Sequence, residues 1–434
     1  MILVNEAQKI ILEKLLPLEP EKIPLLNAVG AVLHEDIYAQ RDNPPADNSA
    51  MDGYALRFED VSSADQDNPP SLKVIEDIPA GQKPSKSIHP GEASRIMTGA
   101  LIPDGADTVV MVEDTEWQDH NQMGYRPDTQ QKLCQKSKVS QVSNIEKKNG
   151  SVLILKPQKK GSHIRKQGED FKKGDLLLSK GNPVTSSNIG IIATAGYAKL
   201  SVYRRPVVAI LSTGDELVDV DAKPEDYQII NSNTYLLASQ VLESGAKPVL
   251  LGIVRDRKDD IKEKLKSADK ADIIITSGGV SVGDYDFVKD AIQDLGSEIV
   301  FWKIAMKPGK PLTFSMLGKR PLFGLPGNPV SSFVSFEQFV RPAILKMSGH
   351  ADLFRKTIRA ILTEDIKKKN NGRRHFLRST LTYKKGSYFV SVLSGQGSSM
   401  LASLASANSL LIIPESETKL KSGQQVEVQV LKSF

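Results

Sequence analysis

The spacing of apolar residues changes along the chain and predicts several kinds of region. Residues 4–16 show helical spacing, in which apolar side chains three or four positions apart share one helix face. That stripe consists of Val4, Ala7, Ile10, Ile11 and Leu15. Residues 71–116 and 151–178 instead show short strand-like runs separated by turns rich in proline and glycine. We therefore predict a β-rich N-terminal region, residues 1–180, that consists of two subdomains.

A polar segment, residues 118–150, interrupts this region and is nearly devoid of apolar clusters. A segment that buries little apolar surface gains too little free energy to offset the entropy lost on ordering. The sequence therefore predicts a mobile polar insert at this position.

The pattern changes again at Pro206, where short apolar runs begin to alternate with helical stripes. The predicted strands are 207–211, 249–254, 272–275, 299–304, 312–314 and 321–324. The predicted helices are 232–243, 258–265, 286–295 and 330–347. Such alternation is typical of a mostly parallel sheet, so residues 181–347 are predicted to form a central α/β domain that begins with a helix. Residues 350–434 return to short strands and predict a C-terminal β domain.

One stretch of the central domain combines glycine with acidic residues. Residues 276–287 read Thr-Ser-Gly-Gly-Val-Ser-Val-Gly-Asp-Tyr-Asp-Phe, between a predicted strand and a predicted helix. Backbone N–H groups at a helix start bind anions, and glycine lets a phosphate approach the backbone closely. Asp284 and Asp286 would repel a bare phosphate, which favours a hard cation such as Mg²⁺ between carboxylate and anion. A tight turn with capping aspartates accounts for the same residues.

Further polar motifs follow the other predicted strands of this domain. Ligands of an open α/β sheet bind outside the carboxyl ends of its strands. The motifs at those ends are residues 212–216, 255–256, 276–287, 302–311 and 325–329. The carboxylates suited to Mg²⁺ are those of Glu216, Asp256 and Asp286. The amines suited to an anion are those of Lys303, Lys307 and Lys310. We predict a site for a phosphorylated or oxyanion substrate.

Composition excludes several other classes of protein. The net charge of +5, from 57 basic and 52 acidic residues, is too mild to indicate nucleic-acid binding. The single cysteine, Cys134, excludes an internal disulfide and a multi-cysteine metal site. The six histidines contain no metal-binding pair of the HExxH type, so oxygen ligands are expected for any metal. Without a long apolar run or a signal-peptide core, the chain is predicted to be cytoplasmic and without a membrane span.

Seven different short motifs follow one another along the chain. They are residues 47–55 (DNSAMDGYA), 96–100 (IMTGA), 168–170 (GED), 212–217 (STGDEL), 277–286 (SGGVSVGDYD), 307–311 (KPGKP) and 324–331 (GLPGNPVS). Together they resemble the motifs of the molybdopterin molybdenumtransferase family, which includes bacterial MoeA and the E domain of gephyrin. The insert at about 118–150 is longer than expected for that family, but it interrupts no motif.

This resemblance implies an enzyme that inserts molybdenum from molybdate into the dithiolene of adenylyl-molybdopterin and releases AMP. It also implies Mg²⁺ dependence, an elongated homodimer of four-domain subunits, and a possible partner in the molybdopterin adenylyltransferase of the preceding step. The dithiolene sulfurs belong to the substrate, so the protein need not supply a nucleophile. Cationic side chains and a serine would hold molybdate, and carboxylates would hold Mg²⁺ on the phosphates.

The resemblance also assigns site residues. Those of catalysis are Asp52, Thr98, Asp170, Glu216, Asp256 and Asp286, of which the last three would hold Mg²⁺. Those that bind substrate in the glycine-rich turn are Ser277, Gly278, Gly279, Ser281, Gly283 and Asp284. Elsewhere in the central domain they are Lys303, Lys307, Lys310, Pro326 and Pro329. The C-terminal domain would supply Arg373 or Arg378, together with Ser398.

Two other functions stay open at this point. A molybdopterin adenylyltransferase would use a similar central domain, although the additional N- and C-terminal motifs argue against it. A non-catalytic molybdopterin-binding scaffold is the second alternative, which the lack of a long linker or second catalytic domain argues against. The sequence does not decide between molybdate and tungstate, which are nearly equal in size and charge.

Overall fold

A computed structural model of the chain describes residues 1–119, 150–279, 287–369 and 371–432. Most of the predicted mobile insert lies outside these residues, as do Ser281, Gly283, Asp284 and Asp286. The chain divides into two compact units. The larger unit comprises Met1–Asp36, Ser179–Ile189 and Ala198–Phe434. The smaller unit comprises Ile37–Leu178 and Gly190–Tyr197.

The helices and strands have the following bounds. The helices are α1 (Val4–Glu13), α2 (Ser186–Thr194), α3 (Ser232–Glu243), α4 (Lys258–Ser267), α5 (Phe287–Asp294), α6 (Pro329–Ser335), α7 (Arg341–Met347) and α8 (Leu401–Ser406). The first strands are β1 (Pro20–Pro24), β2 (Ile37–Tyr38), β3 (Asn48–Ser49), β4 (Gly53–Leu56), β5 (Ser71–Ile78), β6 (Glu92–Ile96), β7 (Thr108–Met111), β8 (Thr115–Asp119), β9 (Gly150–Ile154), β10 (Ile164–Arg165), β11 (Leu176–Leu178) and β12 (Lys199–Tyr203). Those of the central region are β13 (Val207–Thr213), β14 (Leu217–Val218), β15 (Ile229–Ile230), β16 (Lys247–Val254), β17 (Ile273–Ser277), β18 (Glu298–Trp302), β19 (Met306–Lys307), β20 (Thr313–Leu317) and β21 (Arg320–Leu325). The last are β22 (Thr357–Leu362), β23 (Ile366–Lys367), β24 (Arg374–Lys384), β25 (Ser387–Val392), β26 (Ser409–Ile413), β27 (Lys419–Leu420) and β28 (Gln425–Val430).

The smaller unit is β-rich, as its sequence predicts. Its main sheet has the strand order β7-β4-β6-β5-β9-β8. Strands β8 and β9 pair antiparallel, with Asp119 opposite Gly150. The described ends of the polar insert are therefore the last and first residues of two neighbouring strands.

The central sheet of the larger unit has the order β16-β13-β17-β21-β20-β18. Strands β16, β13, β17 and β21 are parallel to one another, and β20 is antiparallel to both of its neighbours. Within the described residues, β20 alone therefore runs against the direction of the others in this sheet. The prediction of a mostly parallel sheet is confirmed.

Both faces of the central sheet are covered by helices, which explains why its strands read as continuous apolar runs. One core contains residues from α1, α3, α6 and α7: Val4, Leu237, Val330 and Ile344. The opposite core contains residues from α4 and α5: Ile261, Leu265, Val288 and Ile292. In β17, Ile273 and Ile275 face the first core and Ile274 faces the second, as strand alternation requires.

Two helices differ from their predicted bounds. The predicted helix 330–347 is interrupted by a π-helical turn, Phe336–Val340, between α6 and α7. Pro342 has no N–H to donate to the carbonyl of Gln338, which instead accepts a hydrogen bond of 3.1 Å from Gln8 Nε2 in α1. Helix α1 ends at Glu13 rather than near residue 16, although Leu15 is still buried in the core.

The C-terminal strands form a closed sheet that receives a strand from the central domain. Its order is β19-β24-β25-β22-β28-β26, and an additional pairing of β24 with β26 closes it. Strand β19 lies in the connection between β18 and β20, and its Met306 and Lys307 pair in register with Arg374 and His375. This shared strand fixes the central sheet against the C-terminal one. No helix in the described part of the chain has the length and apolarity that crossing a membrane requires.

Candidate functional site

The topology brings the predicted motifs of the central domain to one edge of its sheet. Strands β13, β16, β17, β18 and β21 all end at this edge because they run in the same direction. The antiparallel β20 begins there, so the connection 303–312 lies at the same edge. Two adjoining depressions open along it. Their linings share Pro311, Pro326 and Asn328.

The first depression, which we call the acidic cleft, has a volume of about 620 Å³. It is lined by Ser212, Thr213, Glu216, Leu217, Ile229, Ile230, Asn231, Ser232, Asn233, Asp256, Ser277, Gly278, Gly279, Pro311, Pro326, Gly327, Asn328, Pro329, Ser399 and Leu401. Burial and the nearby negative charges of Asp215 and Glu216 raise the pKa of Asp256. The cleft therefore combines a partly desolvated carboxylate with further acids, an environment that favours a cation.

The glycine-rich turn begins at the floor of this cleft. Gly278 has a φ of +95° and Gly279 a φ of +66°, a backbone conformation that is strained for residues with a side chain. A Cβ at Gly278 would lie 2.5 Å from the carbonyl oxygen of Thr213, and one at Gly279 would lie 2.4 Å from Val288. The strand–turn–helix prediction is confirmed at β17 and α5, while residues 280–286 between them lie outside the described part of the chain.

A residue that the sequence did not single out ties two loops of this cleft together. Asn233, in the first turn of α3, is only 8% exposed. Its Nδ2 donates to Ser277 Oγ at 2.8 Å and to the carbonyl of Gly327 at 2.7 Å. It therefore joins the end of β17 to the loop after β21. The sequence feature that could have indicated Asn233 is the polar run 231–234 at the start of a predicted helix. Such a run is also typical of ordinary helix capping.

The second depression, which we call the cationic pocket, has a volume of about 390 Å³. It is lined by Met306, Lys307, Pro308, Gly309, Lys310, Pro311, Pro326, Asn328, Ser331, Arg373, His375, Phe376, Leu377, Arg378, Gln396, Gly397 and Ser398. Lys307 and Lys310 are exposed and Arg373 is half-buried. Within the described ranges, no side-chain hydrogen bond or ion pair involves these three cations. The pocket therefore presents positive charges that no side chain in the described ranges neutralises.

Arg378, the other arginine predicted from the sequence, has a different environment. It is 1% exposed, and its Nη2 donates to the carbonyls of Gly395 and Gly397 at 2.6 and 3.0 Å. Its Nε donates to Ser403 Oγ at 2.9 Å. Burial lowers the pKa of its guanidinium. Arg378 therefore holds the loop that carries Ser398, and the geometry favours Arg373 as the arginine available to an anion.

Lys303 does not line either depression, unlike Lys307 and Lys310. It has a φ of +89°, rare for a residue with a side chain, directly after β18. Its Nζ lies 4.2 Å from the ring centre of Trp302, and Lys289 Nζ lies 4.4 Å from the same ring. Contact with the indole ring is therefore the interaction seen for this lysine.

The three N-terminal candidates lie in the smaller unit. The N–H and hydroxyl of Thr98 donate to Asp52 Oδ1 at 2.7 and 2.9 Å, and these bonds lower the pKa of Asp52. Asp170 accepts a hydrogen bond of 2.8 Å from Asn43 Nδ2. All three candidates are exposed. The structure therefore pairs Asp52 with Thr98 and places Asp170 in a separate loop contact.

The carboxylates described here do not form a complete metal centre. Within residues 1–119, 150–279, 287–369 and 371–432, no three acidic, histidine or cysteine side chains are grouped closely enough to hold a metal ion. Glu216 and Asp256 both line the acidic cleft, and the third predicted ligand, Asp286, is outside these ranges. Oxygen donors on a partly buried, negatively charged wall fit a hard cation such as Mg²⁺.

Comparison with known proteins covers nearly the whole chain. Residues 2–196 match the MoeA N-terminal region (domain I and II), residues 209–346 a probable molybdopterin binding domain, and residues 359–431 the MoeA C-terminal region (domain IV). A molybdopterin molybdenumtransferase of a Nostoc species is 37% identical over 415 residues, which cover 94% of this chain and 88% of that protein. The Bacillus subtilis protein of the same name is 36% identical, with coverages of 95% and 90%.

Solved structures agree with these matches. The molybdopterin biosynthesis MoeA protein of Pyrococcus horikoshii superposes with a TM-score of 0.76 at 30% identity, covering 99% of this chain and 100% of that one. The match confirms the predicted fold class of an α/β centre with β-rich N- and C-terminal domains. The family expected from the seven motifs is also confirmed, and the chain belongs to the molybdopterin molybdenumtransferase (MoeA) family.

Proposed function

We propose that the chain inserts molybdenum from molybdate into the dithiolene of adenylyl-molybdopterin and releases AMP, giving molybdenum cofactor. The observation that carries this proposal is the pair of adjoining depressions with opposite charge, which share Pro311, Pro326 and Asn328. A cationic pocket suits a tetrahedral dianion, and an acidic cleft suits a cation bound to phosphate. The relatives named molybdopterin molybdenumtransferase support the same reaction.

The residues of the cationic pocket would bind molybdate. Lys307, Lys310 and Arg373 offer side-chain donors that have no partner among the described residues, and Ser398 lies on the loop that Arg378 holds. Arg373 can present two parallel N–H groups to an oxyanion, a geometry that lysine lacks. Positioning and electrostatic stabilisation would supply most of the catalysis, because the sulfurs that bond to molybdenum belong to the substrate.

The acidic cleft would hold adenylyl-molybdopterin and Mg²⁺. Glu216 and Asp256, with Asp286, would ligate the cation, which neutralises phosphate charge when bound. Ser277, Gly278 and Gly279 would bind the substrate close to the backbone, since the two glycine positions leave no room for a Cβ. Pro326 and Pro329 line the same cleft. Ser281, Gly283, Asp284 and Lys303 stay predictions as substrate-binding residues.

The reaction can be tested with the purified full chain. Incubation with adenylyl-molybdopterin, Mg²⁺ and molybdate should yield AMP and molybdenum cofactor in equal amounts. Omitting either molybdate or Mg²⁺ should remove the cofactor. If the chain instead transfers AMP from ATP to molybdopterin without molybdate, it is an adenylyltransferase. Tight molybdopterin binding without any turnover would make it a scaffold, and either result would contradict the proposal.

We also propose a cytoplasmic homodimer that receives its substrate from the molybdopterin adenylyltransferase. The family resemblance supports a dimer in which Asp52, Thr98 and Asp170 of one subunit serve the site of the other. Asp52→Ala and Asp256→Ala variants, each inactive alone, should then recover about a quarter of wild-type activity per subunit after exchange. Verified exchange without recovered activity would rule out sites shared between subunits.

A further inference from the structure

The imidazole of His375 is a buried polar group of the cationic pocket to which no role has yet been given. His375 lines the pocket and is 5% exposed. Its Nε2 is fully buried and has no hydrogen-bond partner in the described part of the chain. Buried polar atoms of native proteins are nearly always paired, so an unpaired one calls for a specific explanation such as an absent ligand.

The strand register places this imidazole beside the cations of the pocket. Strand β19 pairs in parallel with β24, and Lys307 stands directly opposite His375 in that pairing. Residues paired across neighbouring strands project from the same face of the sheet. On the other side of β24, the residue opposite His375 is the uncharged Ile413 of β26. The imidazole therefore shares its face with Lys307.

Burial and the positive charges around His375 favour the neutral form of its ring. Burial, followed by the positive charges of Lys368, Lys307 and Arg373, lowers the pKa of His375 to about 4. Lys307 and Arg373 line the cationic pocket with it, as do Lys310 and the buried Arg378. The carboxylate of Glu415, next to Pro414 after β26, is paired with Arg374 at 3.3 Å. A neutral imidazole adds a hydrogen-bonding group to the pocket without adding another positive charge.

We propose that His375 is an oxyanion-binding residue whose Nε2 contacts an oxygen of the tetrahedral dianion in the cationic pocket. This inference rests on the proposed function, which places molybdate in this pocket. Lys307 and Lys310 are exposed and would bind the dianion from the solvent side, whereas His375 would bind it from the buried side. The dianion would thereby give Nε2 the partner that it lacks.

Binding should also be coupled to protonation of the ring. The charge of the dianion offsets the positive charges that disfavour the imidazolium, so the pKa of His375 should rise on binding. Because the complex would then take up protons more readily than the free protein, affinity should increase as the pH falls through the raised pKa of the complex towards the free-protein value of about 4. Removal of the imidazole should flatten this dependence.

The test measures binding of molybdate alone, by equilibrium dialysis at pH 7, to the full chain and four variants: His375→Leu, His375→Gln, Arg373→Ala and Lys310→Ala. His375→Leu removes the nitrogen and should weaken binding roughly tenfold or more, the usual cost of losing a hydrogen bond to a charged group. His375→Gln places its own Nε2 at a similar distance from the backbone and should restore most of the affinity. Arg373→Ala is the control for the pocket and should weaken binding as well.

The possible outcomes separate this inference from the function on which it rests. Weak binding by Arg373→Ala together with unchanged binding by a folded His375→Leu variant would overturn the role of His375 and leave the pocket intact. Unchanged binding by Arg373→Ala and by Lys310→Ala would remove molybdate from this pocket and overturn both proposals. Loss in His375→Leu with recovery in His375→Gln would support the inference.

A second measurement uses the unmutated protein, so it does not depend on a variant that folds. The ¹⁵N shift of His375 Nε2 should change on addition of molybdate at pH 6, because it reports both hydrogen bonding and protonation. The five other histidines provide internal references, and the signal is assigned by its disappearance in His375→Gln. A shift that stays constant at saturating molybdate would overturn the inference.

Discussion

The acidic cleft and the cationic pocket adjoin each other, but they are constructed in different ways. The acidic cleft is formed by loops at the strand ends of one sheet, and its acids are exposed or half-buried. The cationic pocket combines a loop of the central domain with β24 and the loop 395–398 of the C-terminal sheet. Among the described residues its exposed cations have no side-chain partners, whereas Nε and Nη2 of its buried Arg378 are hydrogen-bonded.

This difference shows that residue type alone does not distinguish a binding residue from a supporting one. Arg373 and Arg378 lie five residues apart on the same segment and line the same pocket. Only burial and the hydrogen bonds of Arg378 separate their roles. In the acidic cleft the supporting residue is Asn233, which belongs to a helix rather than to a rim loop.

The largest effect is expected from removal of Arg378, the buried arginine of the cationic pocket. Arg378→Ala removes the guanidinium hydrogen bonds to Gly395, Gly397 and Ser403 and opens a cavity, so the free energy of unfolding should fall by about 3 kcal/mol or more. Arg373→Ala, the matched control, should change it by no more than about 0.5 kcal/mol. Urea denaturation measures both. Equal stability of the two variants would contradict the supporting role of Arg378.

A single substitution in the acidic cleft, Asp256→Asn, should change both the activity of the protein and its dependence on Mg²⁺. Asp256→Asn removes a proposed ligand and should lower turnover roughly tenfold to a hundredfold. Mg²⁺ should raise the Tm of the wild-type protein and have little effect on the variant. Wild-type turnover by the folded variant would remove Asp256 from the metal site.

The raised pKa of Asp256 also fixes the sign of a pH effect on stability in the absence of Mg²⁺. The folded-state pKa is above the ordinary value of 3.8, so the ionised group disfavours folding at neutral pH. That penalty should disappear as the pH falls through the folded-state pKa, and Asp256→Asn should lack it at every pH. At pH 7 the variant should therefore be at least as stable as the metal-free wild type.

A smaller effect is expected from the residue that supports the acidic cleft. Asn233→Ala removes two hydrogen bonds from a buried side chain and should lower the free energy of unfolding by about 1–2 kcal/mol. The loops after β17 and β21 should then move apart, which should raise KM for adenylyl-molybdopterin more than it lowers kcat. Unchanged stability and KM would show that these bonds do not hold the cleft.

The smallest effect is expected from deletion of the polar insert, which leaves the lining residues of both depressions unchanged. Asp119 and Gly150 pair across β8 and β9, so residues 120–149 can be replaced by an Asn-Gly turn that continues the hairpin. The deletion should leave turnover within roughly twofold of wild type, since the segment is polar, nearly devoid of apolar clusters and carries no family motif. A folded deletion variant without turnover would show that the insert belongs to the site.

The sequence predicted the parts of the molecule that depend on local patterns. Strand and helix alternation predicted the central sheet, and the strand-end rule predicted Glu216, Asp256 and Ser277 at one edge. The π-helical turn escaped prediction because it depends on Pro342 together with Gln8, which is more than 300 residues away.

The cationic pocket was harder to predict because its residues come from separate segments. The contribution of β19 to the C-terminal sheet could not be seen from residues 306–307 alone. Without that pairing, His375 looks like an ordinary strand residue and nothing separates Arg373 from Arg378. Lys303 was predicted at the correct edge, but it lines neither depression, and its Nζ lies over the ring of Trp302.

The packing of α1 has a consequence for folding during synthesis. Val4, Ala7 and Ile11 belong to the same core as residues of α6 and α7, and Ile2 bridges to Ile304. The residues of α1 therefore leave the ribosome before partners that are made about 300 residues later, roughly 15 to 60 s at ordinary rates of translation. The smaller unit, by contrast, has most of its residues by Leu178. The smaller unit of the nascent chain should therefore fold before α1 packs into the core of the larger unit.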